Sequence, residues 1–77
     1  METAIIRPLS QVEEGQTVNI VRIDGGRSLR GRLTTMGLLP NTPVTVVQNG
    51  KSGPFVISVK NSRMALGRGV VEKIMVS

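Results

Sequence analysis

Seven arginines, four of them at positions 22, 27, 30 and 32, are the concentrated chemistry of this chain. A guanidinium is permanently charged and holds its donors in a planar fork, so such a cluster is suited to gripping carboxylate or phosphate oxygens. Nucleophilic catalysis is not open to it. The chain has neither His nor Cys, and a Ser or Thr nucleophile would have to find its base among Lys51, Lys60, Lys73 and scattered carboxylates. Transition metals ask for imidazole, thiolate or converging carboxylates, and the acids here are Glu2, Glu13, Glu14, Asp24 and Glu72. Glu13-Glu14 is the adjacent pair, but neighbours in sequence do not converge on one ion without help from the fold, so they read as a solvated turn. Met36, Met64 and Met75 are soft donors that fall in or beside expected core elements, where gap-filling is their use. No Gly-x-x-x-x-Gly-Lys is present, and Gly67-x-Gly69 lacks the third glycine and following helix of a dinucleotide site. We therefore expect no catalytic residue, no cofactor and no metal ligand, and a chain that acts by binding.

The arginines must be carried by local structure, and the stretch 26–41 supplies most of it. Ser28 can cap a short helix whose Leu29, Leu33 and Met36 fall at i, i+4 and i+7, predicting one buried face. Gly37 is suited to the left-handed residue past the last turn, with Leu38 closing back on Leu33, and Pro40 stops the helix. Arg30 and Arg32 then flank the apolar stripe, Arg27 precedes the cap, and no acid stands between Gly25 and Pro40. The outer side of the helix is cationic. Gly31, in mid-helix, costs roughly 1 kcal/mol relative to Ala; it marks close packing on the domain's own sheet or the approach of a partner's backbone.

The remaining chain reads as β. Residues 3–7 form an edge strand, Leu9 to Val12 one helical turn, and 16–23 a strand whose inward register slips between Ile20 and Val21. Asp24-Gly25-Gly26 turns into the helix. Leu39-Pro40-Asn41-Thr42 is a type II turn, and 43–48 and 55–59 form a hairpin with Val44, Val46, Phe55, Ile57 and Val59 inward. Asn61-Ser62 turns into 63–66 with Met64 and Leu66 inward, 67–72 is a bend or 3₁₀ turn, and 73–76 is a closing strand. Short strands at this spacing make a small barrel or sandwich, with the helix plugging one side.

At 77 residues the chain reads as one domain, 1–77, too small for a cleft between lobes. Without Cys it is compatible with a reducing compartment, and residues 1–8 lack the basic start and long apolar run of a signal peptide. We expect a cytoplasmic protein, at most peripheral to a membrane. Ten basic residues against five acids, net +5, favour an anionic partner. Phe55 is the single aromatic residue, so neither a base-stacking platform nor an aromatic peptide groove can be built.

Leu9 spaced to Gly15, Val18-x-Ile20, Leu29-Arg30-x-Arg32-Leu33-x-x-Met36-Gly37-Leu38-x-Pro40, Gly53-Pro54, Met64-Ala65-Leu66 and Glu72-Lys73-Ile74-x-Val76 together resemble the ferrous-iron transport protein A (FeoA) family. The resemblance covers nearly the whole chain. It implies a mainly β fold, a small SH3-like β-barrel of five or six short strands with one short α-helix and a helical turn. It also implies a cytoplasmic accessory protein of the ferrous-iron permease, a membrane protein with a cytosolic GTP-binding domain. The chain departs from the family pattern at Pro40-Asn41, where Pro-Gly is usual, and in the loop 49–52. On this reading Arg22, Arg27, Arg30 and Arg32 dock on an acidic surface of the permease, with Leu39 as an apolar contact beside them. Residue chemistry alone nearly ties that adaptor with a nucleic-acid binder using the same arginines on phosphates; the resemblance favours the adaptor, and it also implies the alternative of a metal-regulator-associated small β-barrel. Weak self-association through the edge at 3–7 is a third reading.

Overall fold

The computed structural model describes residues 5–50 and 53–77. Period-2 alternation of Val and Ile against polar residues sets the strands: β1 (Arg7–Pro8), β2 (Thr17–Ile23), β3 (Pro43–Asn49), β4 (Phe55–Val59), β5 (Ser62–Leu66) and β6 (Ile74–Val76). They pair antiparallel in the order β1-β6-β2-β3-β4-β5. The strand β2 is the corner of the sheet. Its first half, residues 17–19, pairs with β3 and its second half with β6, with the register slipping between Ile20 and Arg22. The expected bulge is therefore present, and it bends the strand so that one sheet can wrap one core. β1 and β5 are the two edges, so the small SH3-like β fold stays open along that seam. A second slip, in β3 between Val46 and Gln48, leaves no mark in the alternation.

The inward positions converge as expected. Val44, Val46, Phe55, Ile57, Ile74 and Val76 are fully buried, together with Leu9 of the 3₁₀ turn Leu9–Gln11, Val12 that follows it, and Val71 from the short helix α2 (Arg68–Val71). That helix is a full α turn where a bend or 3₁₀ turn was expected. The β4–β5 turn is centred on Lys60 and Asn61, both at positive φ, one residue earlier than expected and matched to the right-handed twist of a hairpin. Of the edge strand expected at 3–7, residues 3 and 4 lie outside the described residues. Ile5 and Ile6 are exposed, and only Arg7 and Pro8 pair, with β6.

The helix α1 (Arg27–Thr35) departs from expectation at both ends. Its N-cap is Gly26, whose carbonyl accepts the Arg30 N–H at 3.0 Å, and no side chain caps it. Ser28 is thus inside the helix, in its first turn. Arg27 is the first helical residue rather than a residue before the cap. At the other end Gly37 (φ 92) donates to the Thr34 carbonyl at 3.0 Å and Leu38 to the Leu33 carbonyl at 2.9 Å, the paired closure expected. Leu33 and Leu38 are buried and Leu29 is half-buried, but Met36 is 41% exposed. The closure ends the helix at Met36, the C-cap, and releases its side chain from the apolar stripe.

Gly31 is not a packing contact. A Cβ placed there would meet nothing within 4 Å, whereas one at Gly25 would lie 2.6 Å from Leu29 Cδ2. The close approach assigned to Gly31 is found at Gly25, where the chain passes under the start of α1.

Candidate protein-docking face

The five residues singled out for partner contact, Arg22, Arg27, Arg30, Arg32 and Leu39, are all exposed. The strand β2 delivers Arg22 near its end, beside the turn into α1. Two residues on, and hence on the same side of the extended chain, Asp24 accepts from Arg22 through both carboxylate oxygens, with Nε–Oδ1 at 2.7 Å and Nη2–Oδ2 at 3.3 Å. This ion pair is the one formed among the described residues, and its side chains are 53% and 49% exposed. The Arg-x-Asp spacing at the end of a strand is the local signal for this pair. Arg22 therefore reaches a partner only in competition with Asp24.

A groove of about 380 Å³ opens between α1 and this end of β2. Arg22, Ile23 and Asp24 form one wall, Arg30 and Thr34 of α1 the other, and Leu38 and Pro40 complete the lining. The connection after α1 is held in place. Thr42 N–H donates to the Leu39 carbonyl at 3.1 Å across Pro40-Asn41, with Asn41 at φ 70, and Asn41 N–H donates to the Ile20 carbonyl at 2.7 Å. The type II turn thus keeps its form with Asn in the positive-φ position.

Helical geometry sorts the remaining arginines. At about 100° per residue, Arg27, Arg30 and Thr34 share a side of α1, while Arg32 points away from Arg30 by about 160°. The structure brings Arg22 and Arg30 to one groove, while Arg27, one turn before Arg30 on the same side of α1, does not line it. Arg32 lies on the far flank, and Leu39 sits between two groove residues without lining the groove. Met36 and Leu39, each 41% exposed, give the C-terminal end of α1 an apolar ledge. The first turn of α1 holds no acid to offset Arg27, so the partial positive charge of the helix start adds to that of the guanidinium.

Another arginine is spent internally. Arg68 lies over the Phe55 ring, 5.6 Å from its centroid, and its Nη1 donates to Asn49 Oδ1 at 2.9 Å. Asn49 Nδ2 in turn donates to the carbonyls of Ser10 (3.2 Å) and Val12 (2.8 Å), and Asn49 N–H donates to Glu14 Oε2 at 2.8 Å. Glu14 is therefore a structural acceptor rather than a free carboxylate. Among the described residues no group of three or more His, Cys, Asp or Glu is placed to hold a metal ion, and no helix is long and apolar enough to cross a membrane.

Comparison with known proteins bears on the sequence and the fold. The FeoA domain family model matches residues 7–77. A Methanocaldococcus jannaschii protein named as an Fe(2+) transport protein A is 41% identical over 69 residues, covering 90% of this chain and 83% of that protein. The crystal structure of an iron uptake regulatory protein (FeoA) superposes with TM-score 0.86 at 35% identity, covering 96% of this chain and 97% of the other. A manganese-dependent transcriptional repressor shares the fold alone: TM-score 0.87 at 19% identity, covering 97% of this chain but 42% of the repressor. With its sequence matched from β1 to β6 and its fold reproduced in a solved relative, the chain belongs to the FeoA family.

Proposed function

We propose that this protein is a cytoplasmic accessory protein of ferrous-iron transport that binds the cytosolic part of the ferrous-iron permease and modulates it. The carrying observation is the outward face of α1. Arg27 and Arg30 lie on one side and Arg32 on the far flank, with Met36 and Leu39 exposed at the helix end and no carboxylate in the sequence from residue 25 to 71. Charged rims around a small apolar contact steer association and fix orientation, which is what an adaptor requires. The names of the relatives, in Fe(2+) transport and iron uptake, point to the system in which that partner is found.

Such a protein acts through differential affinity. If it binds one conformation of the permease more tightly than another, it shifts their populations by that ratio, about 1.4 kcal/mol for each factor of ten. The test is charge reversal. Arg30→Glu with Arg32→Glu leaves the core untouched, since both side chains are exposed, and is expected to weaken binding to the permease's cytosolic domain and lower ferrous uptake in cells. Unchanged uptake rejects this face as the docking surface. A steep log-log salt dependence of binding to random duplex DNA would instead assign the arginines to phosphates.

A further inference from the structure

We propose that the groove between α1 and the end of β2 is a recognition pocket for a carboxylate side chain with an aliphatic neighbour, presented by an acidic segment of a partner protein. This deepens the docking reading above and rests on it. At about 380 Å³ the groove is at the small end of the range for ligand sites, with room for a side chain or two rather than a large cofactor. Its lining is divided in the same way. Ile23 and Pro40 offer apolar surface, Leu38 backs the groove from within the core, and Arg22 and Arg30 offer guanidinium groups.

The charge balance is unfinished at Arg30. The ion pair formed among the described residues is Arg22–Asp24, and after Asp24 the sequence supplies no acid until Glu72. Asp24 shows what the groove accepts, because its carboxylate already takes two guanidinium donors of Arg22, at 2.7 and 3.3 Å. A partner's Asp or Glu takes Arg30 in the same way. Asp24 also decides between anions, since its own negative charge at the groove disfavours a closely spaced row of phosphates more than one carboxylate. The chain behind the groove is held before binding: Leu38 is fully buried and fixed by its bond to the Leu33 carbonyl, and Pro40 lies in the hydrogen-bonded turn. The ordering left for the encounter therefore falls on the exposed Arg30 side chain rather than on the backbone.

The test is an amide-shift titration of the full chain with acetyl-Glu-Leu-Asp-Glu-Leu-amide, its neutral counterpart acetyl-Gln-Leu-Asn-Gln-Leu-amide, and random duplex DNA. The acidic peptide is expected to move the amides of Ile23, Asp24, Arg30, Thr34 and Leu38, and the neutral one to bind at least roughly tenfold more weakly. Arg30→Gln is expected to lose roughly tenfold for the acidic peptide. Asp24→Asn, which removes the competing carboxylate from an exposed pair, is expected to tighten binding by up to about fivefold. Equal binding of the neutral peptide, shifts confined to other surfaces, weaker binding by Asp24→Asn, or the same amides moving with DNA but not with the acidic peptide would each overturn the proposal. The permease's cytosolic domain separates the two levels of inference. If it binds wild type and Arg30→Gln alike, the groove is rejected while docking stands; if the acidic peptide binds in the groove and the domain does not bind, the groove stands and the permease assignment falls.

Discussion

Replacing Gly31 by Ala puts a number on the open side of α1. In the middle of a nine-residue helix, a Cβ at this position would meet nothing within 4 Å beyond the helix's own backbone. No steric cost opposes the substitution, so the helix-propensity difference decides it, about 0.8–1 kcal/mol in favour of Ala. In a chain of 77 residues that corresponds to a rise of about 4–8 °C in Tm. With a urea slope near the low end for small domains, about 1 kcal/mol per M, the midpoint should move up by nearly 1 M at unchanged slope. Thermal and urea unfolding followed by circular dichroism measure both. A variant that melts at or below the wild type refutes the reasoning, because something would then have to pack over residue 31 in solution. The companion change Gly31→Gln reads what the open space is for. It adds a side chain at the same unobstructed point, so weaker permease binding without loss of stability would show that a partner's backbone comes close there.

Leu33→Ala should cost about 2–5 kcal/mol through a core cavity, a large share of the stability of a small domain, and is read as a lower urea midpoint. Asn49→Ala should cost about 2–4 kcal/mol, since it removes the donors to the Ser10 and Val12 carbonyls and the acceptor for Arg68. Asn49→Asp should recover only part of this loss in the same assay, keeping the Arg68 contact while turning a carboxylate toward two carbonyls. Gly37→Ala should lower stability by about 1–2 kcal/mol, because φ there is 92°.

What could be read in the sequence was local and periodic. The alternation in 43–48 and 55–59, the slip at Ile20–Val21, the Leu33–Leu38 closure and the Pro40-Asn41 turn each follow from a few adjacent residues, and each is present. The helix α1 starts after Gly26 rather than at Ser28, the better capping side chain, with Gly25 placed where a Cβ would strike Leu29, a contact that local capping preference does not report. Met36 continues the apolar period yet lies outside the core, because a 3.6-residue period does not announce where the helix stops. The network around Asn49 joins positions 35 to 39 residues apart, and no pattern of short range can report it. In the docking face, the arginines and their exposure were legible. The pairing of Arg22 with Asp24 follows from the Arg-x-Asp spacing, whereas that Arg22 and Arg30 share a groove depends on how β2 bends over the core.

The place of β6 in the sheet bears on how the protein is made. Ile74–Val76 lies between β1 and β2, so the segment that leaves the ribosome after all the other strands is the one that knits the first two together. Until it emerges, β1 has no neighbour and the second half of β2 presents a bare edge, while the 3–4–5 meander can already zip up by itself from nearby pairings. Bringing residue 7 to residue 76 closes nearly the whole chain into a loop, and topologies that depend on such distant partners gain their last structure slowly, in the millisecond-to-second range.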